Sequence, residues 1–246
     1  MTLHVRAILF DLDDTLLGND INGFMNNYLP LLAKYVGELI DEQQFVAELM
    51  YGTQAMINNG DRNKTNAEIF WSTFSNRTGL DRATFEPYVD KFYRDEFGKL
   101  QSLTRKKAEA KELVNSCLDQ GYSVVIATNP LFPMTAIEQR LTWAGIPVAE
   151  HNFSLVTSYE NMHASKPHHE YYDEILSKIG VQPDQAIMVG DDWVNDISGA
   201  ASAGLHTFWI TMEPEKAPVD FPDLIGKGTL DSFYHLISDG NIKPNA

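Results

Sequence analysis

Val5-Arg6-Ala7-Ile8-Leu9-Phe10-Asp11-Leu12-Asp13-Asp14-Thr15 joins a short apolar run to a dense acidic one. The apolar residues suit a short buried strand, and the acids follow at once, where a strand gives way to a loop. This places the acidic cluster at a strand's C-terminal end. Asp11 and Asp13 lie two apart with Thr15 two beyond, so in an extended loop both carboxylates project toward one pocket. Three specified residues at those spacings arise by chance in roughly three per cent of chains this long, so the triplet alone does not define a site. A competing reading makes these residues N-caps of a following helix.

Outward from this segment, further strands are expected at 123–128, 153–157, 186–189 and 206–210, each apolar and several rich in β-branched residues. Helical periodicity falls at 106–118, 137–144, 170–179 and 195–203, with Gly121, Gly180 and Gly204 as stop signals. Alternating strands and helices predict a mainly parallel sheet covered on both faces. Residues 18–98 break the alternation. They show helical periodicity at 22–40, 41–56, 66–75 and 82–96, with turn chemistry at Asn58-Asn59-Gly60-Asp61 and Thr78-Gly79. The expected fold is therefore α/β: a Rossmann-like parallel core formed by 1–17 and 99–246, with an inserted α-helical cap formed by 18–98. After Ile210 the chain is punctuated by Pro214, Pro218, Pro222, Gly226 and Gly228 before a last helix near 230–237, and this tail is expected to close one edge of the core.

The 246 residues are 43% hydrophobic and 22% charged, ordinary values for a globular chain, and no apolar run approaches the length of a membrane span. Nineteen basic against thirty-four acidic residues give a net charge of −15, which repels polyanions and leaves no basic stripe for nucleic acid. A phosphate ester would be repelled too, so a site that binds one needs local cations. The N-terminal segment lacks the hydrophobic region of a signal peptide, which makes the cytoplasm the expected location. On that expectation the Asn-x-Ser/Thr triplets at Asn63, Asn76 and Asn152 are accidental. Cys117, the single cysteine, sits among Leu113, Val114 and Leu118 and reads as a buried thiol. His163, His168 and His169 lack the partners and spacing of a transition-metal site, and the four tryptophans read as packing residues, with Trp193 alone placed where it can face a pocket.

Three more short elements follow the first in order: Val124-Val125-Ile126-Ala127-Thr128-Asn129, Ser165-Lys166-Pro167, and Val189-Gly190-Asp191-Asp192 with Asp196 five residues beyond Asp191. Together with Asp11-Leu12-Asp13-Asp14-Thr15 this ordered set resembles the haloacid dehalogenase-like superfamily. That superfamily's motifs are an Asp-x-Asp-x-Thr loop, a Ser or Thr ending the second strand, a Lys, and a Gly-Asp-rich acidic loop. The helical segment occupies the place of the family's type-one cap.

The resemblance implies a magnesium-dependent phosphatase acting on a small phosphorylated metabolite. Asp11 is the implied nucleophile, and Asp13 the acid and base that protonates the leaving alcohol and later activates water. Mg2+ is implied at the Asp11 carboxylate, the Asp13 carbonyl and Asp191, with Asp196 ranked next, in an all-oxygen set suited to a hard cation. Thr128, Asn129 and Lys166 are implied at the phosphate, and Thr15 either there or shaping the loop. Asp14 reads as a cap, and Asp192 is not assigned. Cations are required because two unit charges 4 Å apart repel by about 4 kcal/mol at an effective dielectric of 20. A dehalogenase needs no acid at the position of Asp13, whereas a phosphomutase would share the core and differ in its cap. A phosphoacceptor signalling domain orders its acids differently along the chain, and a non-catalytic binding protein would not require the full set. Arg62, Lys64, Arg77, Arg82 and Lys91 of the cap read as a solvated face from which one cation can reach a second anionic group. Oligomeric state is not legible.

Overall fold

The computed structural model of the protein describes residues 2–216, 221 and 223–245, so Pro218 and Pro222 of the tail lie outside the described residues. The chain opens with β1 (Leu3–Val5) and β2 (Ala7–Phe10), separated by a bend at Arg6 where one continuous strand was expected. The two-residue β3 (Leu17–Gly18) then leads into four helices, α1 (Ile21–Val36), α2 (Glu42–Ile57), α3 (Asn66–Thr78) and α4 (Arg82–Asp95). A tight helical segment, Phe97–Leu103, returns the chain to β4 (Arg105–Lys106), which pairs antiparallel with β3. This pair forms a two-stranded neck between the helices and the sheet.

The second part alternates: α5 (Ala108–Asp119), β5 (Ser123–Ile126), α6 (Met134–Ala144), β6 (Leu155–Val156), α7 (His169–Ile179) and β7 (Ala186–Gly190). A wide-turned helix, Trp193–Ser198, runs into α8 (Gly199–Ser202), and β8 (His206–Ile210), β9 (Leu224–Gly228), α9 (Leu230–Ser238) and β10 (Ile242–Pro244) follow. Six strands form one sheet in the order β6-β5-β2-β7-β8-β9, every pair parallel, while β1 and β10 pair separately. This is a Rossmann-like α/β core with a helical cap.

Strand β2 lies inside the sheet and all four of its residues are buried, which explains its unbroken apolar sequence. Alternate side chains serve opposite faces. Ile8 and Phe10 join the larger core, shared with α5, α6, α9 and the cap, and Ala7 and Leu9 join a smaller one with Tyr171, Tyr172 and Ile175 of α7. Phe10 is in register with Ile126 of β5 and Val189 of β7. The residues that follow these three strands therefore emerge side by side at the carboxyl edge, where ligands bind in open parallel sheets.

The cap helices start on local signals. Asp20 caps α1, Asp41 caps α2, and Thr65 with Glu68 makes a capping box at α3. Gly52 lets α2 approach α3, since a Cβ there would lie 2.8 Å from the Phe70 ring. Among the described residues no helix is long and apolar enough to cross a membrane.

Candidate active site

Asp11 is the first residue past β2, its backbone N–H bonded to the Val189 carbonyl at 2.9 Å, so the sheet itself fixes where its carboxylate begins. Asp191 follows β7 directly, and the helix beginning at Trp193 brings Asp196 back over it. Carboxylate oxygens of Asp11, Asp191 and Asp196 lie within 4.8 Å of one another. Gly190 permits this, because a Cβ there would sit 2.1 Å from Asp196 Oδ2. The Lys166 ammonium, buried, donates to Asp11 Oδ1 at 2.7 Å and to Asp196 Oδ1 at 2.6 Å.

Three carboxylates thus crowd into a largely dehydrated place, and one ammonium bridges two of them. Burial pushes Asp11 up to about 7, with Lys166 pulling down and Asp196 and Asp13 adding to the rise. Burial likewise pushes Asp191 up to about 7, helped by the charge of Asp11 and partly offset by the Thr15 hydroxyl. Burial raises Asp196 too, against Lys166. Burial also opposes the charge of Lys166, but Asp11 and Asp196 outweigh it and hold the ammonium well above the usual lysine range. The cluster therefore carries more negative charge than its lysine balances. An all-oxygen donor set with uncompensated negative charge fits a hard divalent cation.

The other expected residues are placed as follows. Thr15 is wholly buried and donates to Asp191 Oδ1 at 3.0 Å, so its hydroxyl orients an acid and does not line the cavity. The Thr128 carbonyl is fixed by the Thr157 hydroxyl at 2.7 Å and the Tyr171 hydroxyl at 2.8 Å, which holds this residue at the cavity wall. Asn129 stands next to it with a buried Oδ1 that has no partner among the described residues. Asp192 caps the following helix, accepting from Val194 N and Asn195 N at 2.8 Å each, and is not a member of the acidic cluster. Asp14 occupies left-handed backbone at φ 54°, a conformation Asp tolerates better than most residues, and its carbonyl accepts from Lys107. Trp193, singled out as a pocket candidate, packs edge-on against Trp209 and Phe221. His163 is bound by Glu174 and His169 by Asp173. Burial pushes the Cys117 thiol up to about 12, which makes it a packing residue.

The sequence reading missed two contacts to Asp13. Asn19 donates to its Oδ1 at 2.8 Å, and the wholly buried Arg140 of α6 pairs with its Oδ2. The signal for Arg140 was available, since it lies on the apolar stripe of α6 with Ile137, Leu141 and Ala144. A cation in a buried stripe needs a partner. Asp13 and Asn19, together with Asp11, Asp191, Asp196 and Lys166, open onto a cavity of about 790 Å³ that runs from the carboxylates into the cap.

A sequence model described as haloacid dehalogenase-like hydrolase matches residues 5–204. Haloacid dehalogenase-like hydrolase domain-containing protein 3 of Xenopus laevis is 31% identical over 115 residues, 46% of this chain and 45% of that protein. A phosphoglycolate phosphatase of Haemophilus influenzae (strain 86-028NP) is 26% identical over 196 residues, covering 80% of this chain and 85% of the relative. Among solved structures, a HAD phosphatase from Thermococcus onnurineus superposes with a TM-score of 0.56 at 20% identity, over 96% of this chain and 98% of that one, a likeness of fold.

Proposed function

The chain belongs to the haloacid dehalogenase-like hydrolase family, and from that premise we propose that it is a magnesium-dependent phosphatase. It would hydrolyse a small phosphorylated metabolite through an aspartyl phosphate at Asp11. The observation that carries the reading is the juxtaposition of Asp11, Asp191 and Asp196, with Lys166 bridging Asp11 and Asp196, at the floor of the cavity. Phosphatase names among the relatives support the same chemistry.

Asp11, Asp191 and Asp196, with the Asp13 carbonyl, are the groups that would hold Mg2+, whose charge would draw electron density from the phosphoryl oxygens. The ionised Asp11 carboxylate attacks phosphorus and the bond to the alcohol oxygen breaks. Asp13 delivers a proton to that oxygen, then accepts one from the water that attacks the aspartyl phosphate, releasing phosphate and restoring Asp11. Lys166 neutralises charge on the transferring group and keeps Asp11 aimed from its other side. Thr128 and Asn129 hold phosphoryl oxygens, while Thr15 positions Asp191. The presence of Asp13 favours phosphoryl transfer over dehalogenation. The net charge of −15 supports a small-molecule substrate and no nucleic-acid partner, and the cytoplasmic, non-membrane reading rests on the N-terminal segment and the lack of a long apolar run.

The test is phosphate release from a panel of monoesters with Mg2+ and with chelator. Magnesium-dependent release is expected, Asp11→Asn should fall to the background rate, and Asp13→Asn should lose about 10²–10⁴-fold in kcat. Full activity in Asp11→Asn sinks the mechanism.

A further inference from the structure

The cavity has two chemically different ends. At the core end stand the acids, Lys166, Thr128 and Asn129; at the cap end all four helices turn apolar side chains inward, among them Leu32 of α1, Leu49 of α2, Phe74 of α3 and Val89 of α4. The tyrosine, tryptophan and threonine groups in this wall are already engaged within the protein. The Tyr28 and Tyr93 hydroxyls pair at 2.6 Å, Trp71 Nε1 donates to the Tyr159 hydroxyl at 3.3 Å, and the Thr53 hydroxyl donates to the Leu49 carbonyl of its own helix at 2.9 Å.

Charge points the same way. Among the described lining residues there are seven carboxylates and one ammonium, Lys166, which Asp11 and Asp196 already engage. Three of the cap's arginines are committed elsewhere, Arg77 to Glu48, Arg82 to Glu86 and Arg62 to Glu170, and Arg94 is not among the lining residues. A substrate with a second anionic group would find repulsion and, among the described lining residues, no cation besides Lys166; Arg140, behind the Phe132 ring, is paired with Asp13. A volume of about 790 Å³ is that of a site for a drug-sized molecule, well beyond a two- or three-carbon acid.

We propose that the cap cavity binds the leaving group, and that the substrate is a phosphate monoester of an apolar alkyl or aryl alcohol without a second charged group. The phosphoryl group sits at Asp11 and the tail enters between the cap helices, past Ile21 and Met50, which line the cavity and stay partly exposed. The specificity assignment rests on the phosphatase reading, but the binding mode does not depend on turnover.

Two series test it on the full chain with Mg2+: ethyl to octyl phosphate for turnover, beside 2-naphthyl phosphate, phosphoglycolate and phosphoserine, and ethyl to octyl phosphonate for binding. The expected kcat/KM rises about three- to fourfold per added methylene until the cavity is filled, and naphthyl phosphate exceeds both charged esters. Phosphonate affinity should rise in parallel. A flat series, or preference for phosphoglycolate or phosphoserine, overturns the proposal and leaves the phosphatase reading standing. Absence of turnover together with chain-dependent phosphonate binding would overturn the phosphatase reading and support the apolar site. Absence of both overturns both. Leu49→Trp, or Val89→Phe where the first variant does not fold, should end the gain at a shorter chain; an unchanged gradient would place the tail outside the cap.

Discussion

Arg140 is buried in α6, pairs with the Asp13 carboxylate through Nη1, and sets its guanidinium carbon 4.6 Å from the Phe132 ring centroid. It does not line the cavity, so in the proposed mechanism it is a positioning residue acting through Asp13. Arg140→Met keeps most of the buried volume and removes the contact. We expect kcat to fall by about 10²-fold with KM changed less, because a small displacement of a proton donor costs that much. Arg140→Lys should recover part of the loss. A merely structural role would instead lower the active fraction and the melting temperature together, leaving kcat per active molecule unchanged. At this scale the sequence was legible where partners are neighbours along the chain, as in Asp11-Leu12-Asp13. It was not legible for Arg140 and Asp13, 127 positions apart, and Lys166 and Asp11, 155 apart, were brought to one site only through the family resemblance.

Strand β7 and the helix after it deliver Asp191 and Asp196 as one unit, with Asp192 as the cap and Gly190 as the space for the Asp196 carboxylate. Gly190→Ala should push Asp196 away and take Lys166 with it, since the ammonium bridges Asp196 and Asp11. The expected result is a loss of about 10²-fold in kcat with an unchanged far-ultraviolet circular dichroism spectrum. Near-normal turnover would show that Asp196 can be displaced without cost. Among the elements, the strands with unbroken apolar runs were readable because burial on both faces demands that composition. Strand β9 was not. Its glycines read as loop, yet Gly226 is where β9 passes Phe208 of β8, and a Cβ there would lie 2.7 Å from that ring. Close approach, a tertiary cause, chose glycine, and the edge that the tail was expected to close is formed by this sixth strand.

For the whole molecule, the acidic cluster couples stability to pH and to cations. Asp11 and Asp191 are raised from 3.8 to about 7, so between those values the folded state binds more protons than the unfolded one. Their contribution to stability therefore falls as pH rises from about 4 to 7 and stays low above it. A divalent cation competes with those protons, so the rise in melting temperature caused by Mg2+ should be larger at pH 8 than at pH 5, each kcal/mol of linkage appearing as about 2–4 °C. Taking the difference with and without Mg2+ at each pH removes the contribution of carboxylates elsewhere, and an increment that did not grow with pH would contradict the assignment. The sequence by itself determined the fold class, the presence of a helical cap, and the residue types available for the chemistry, because periodicity and short motifs are local properties of a chain. Only the tertiary structure decided that Thr15 serves Asp191, that Asp192 caps a helix, that Arg140 and Asn19 hold Asp13, and that the cap encloses an apolar cavity with no free cation among its described residues. Those outcomes depend on which side chains meet across the sheet and the neck. Burial and charge balance there are set by neighbours from distant parts of the chain.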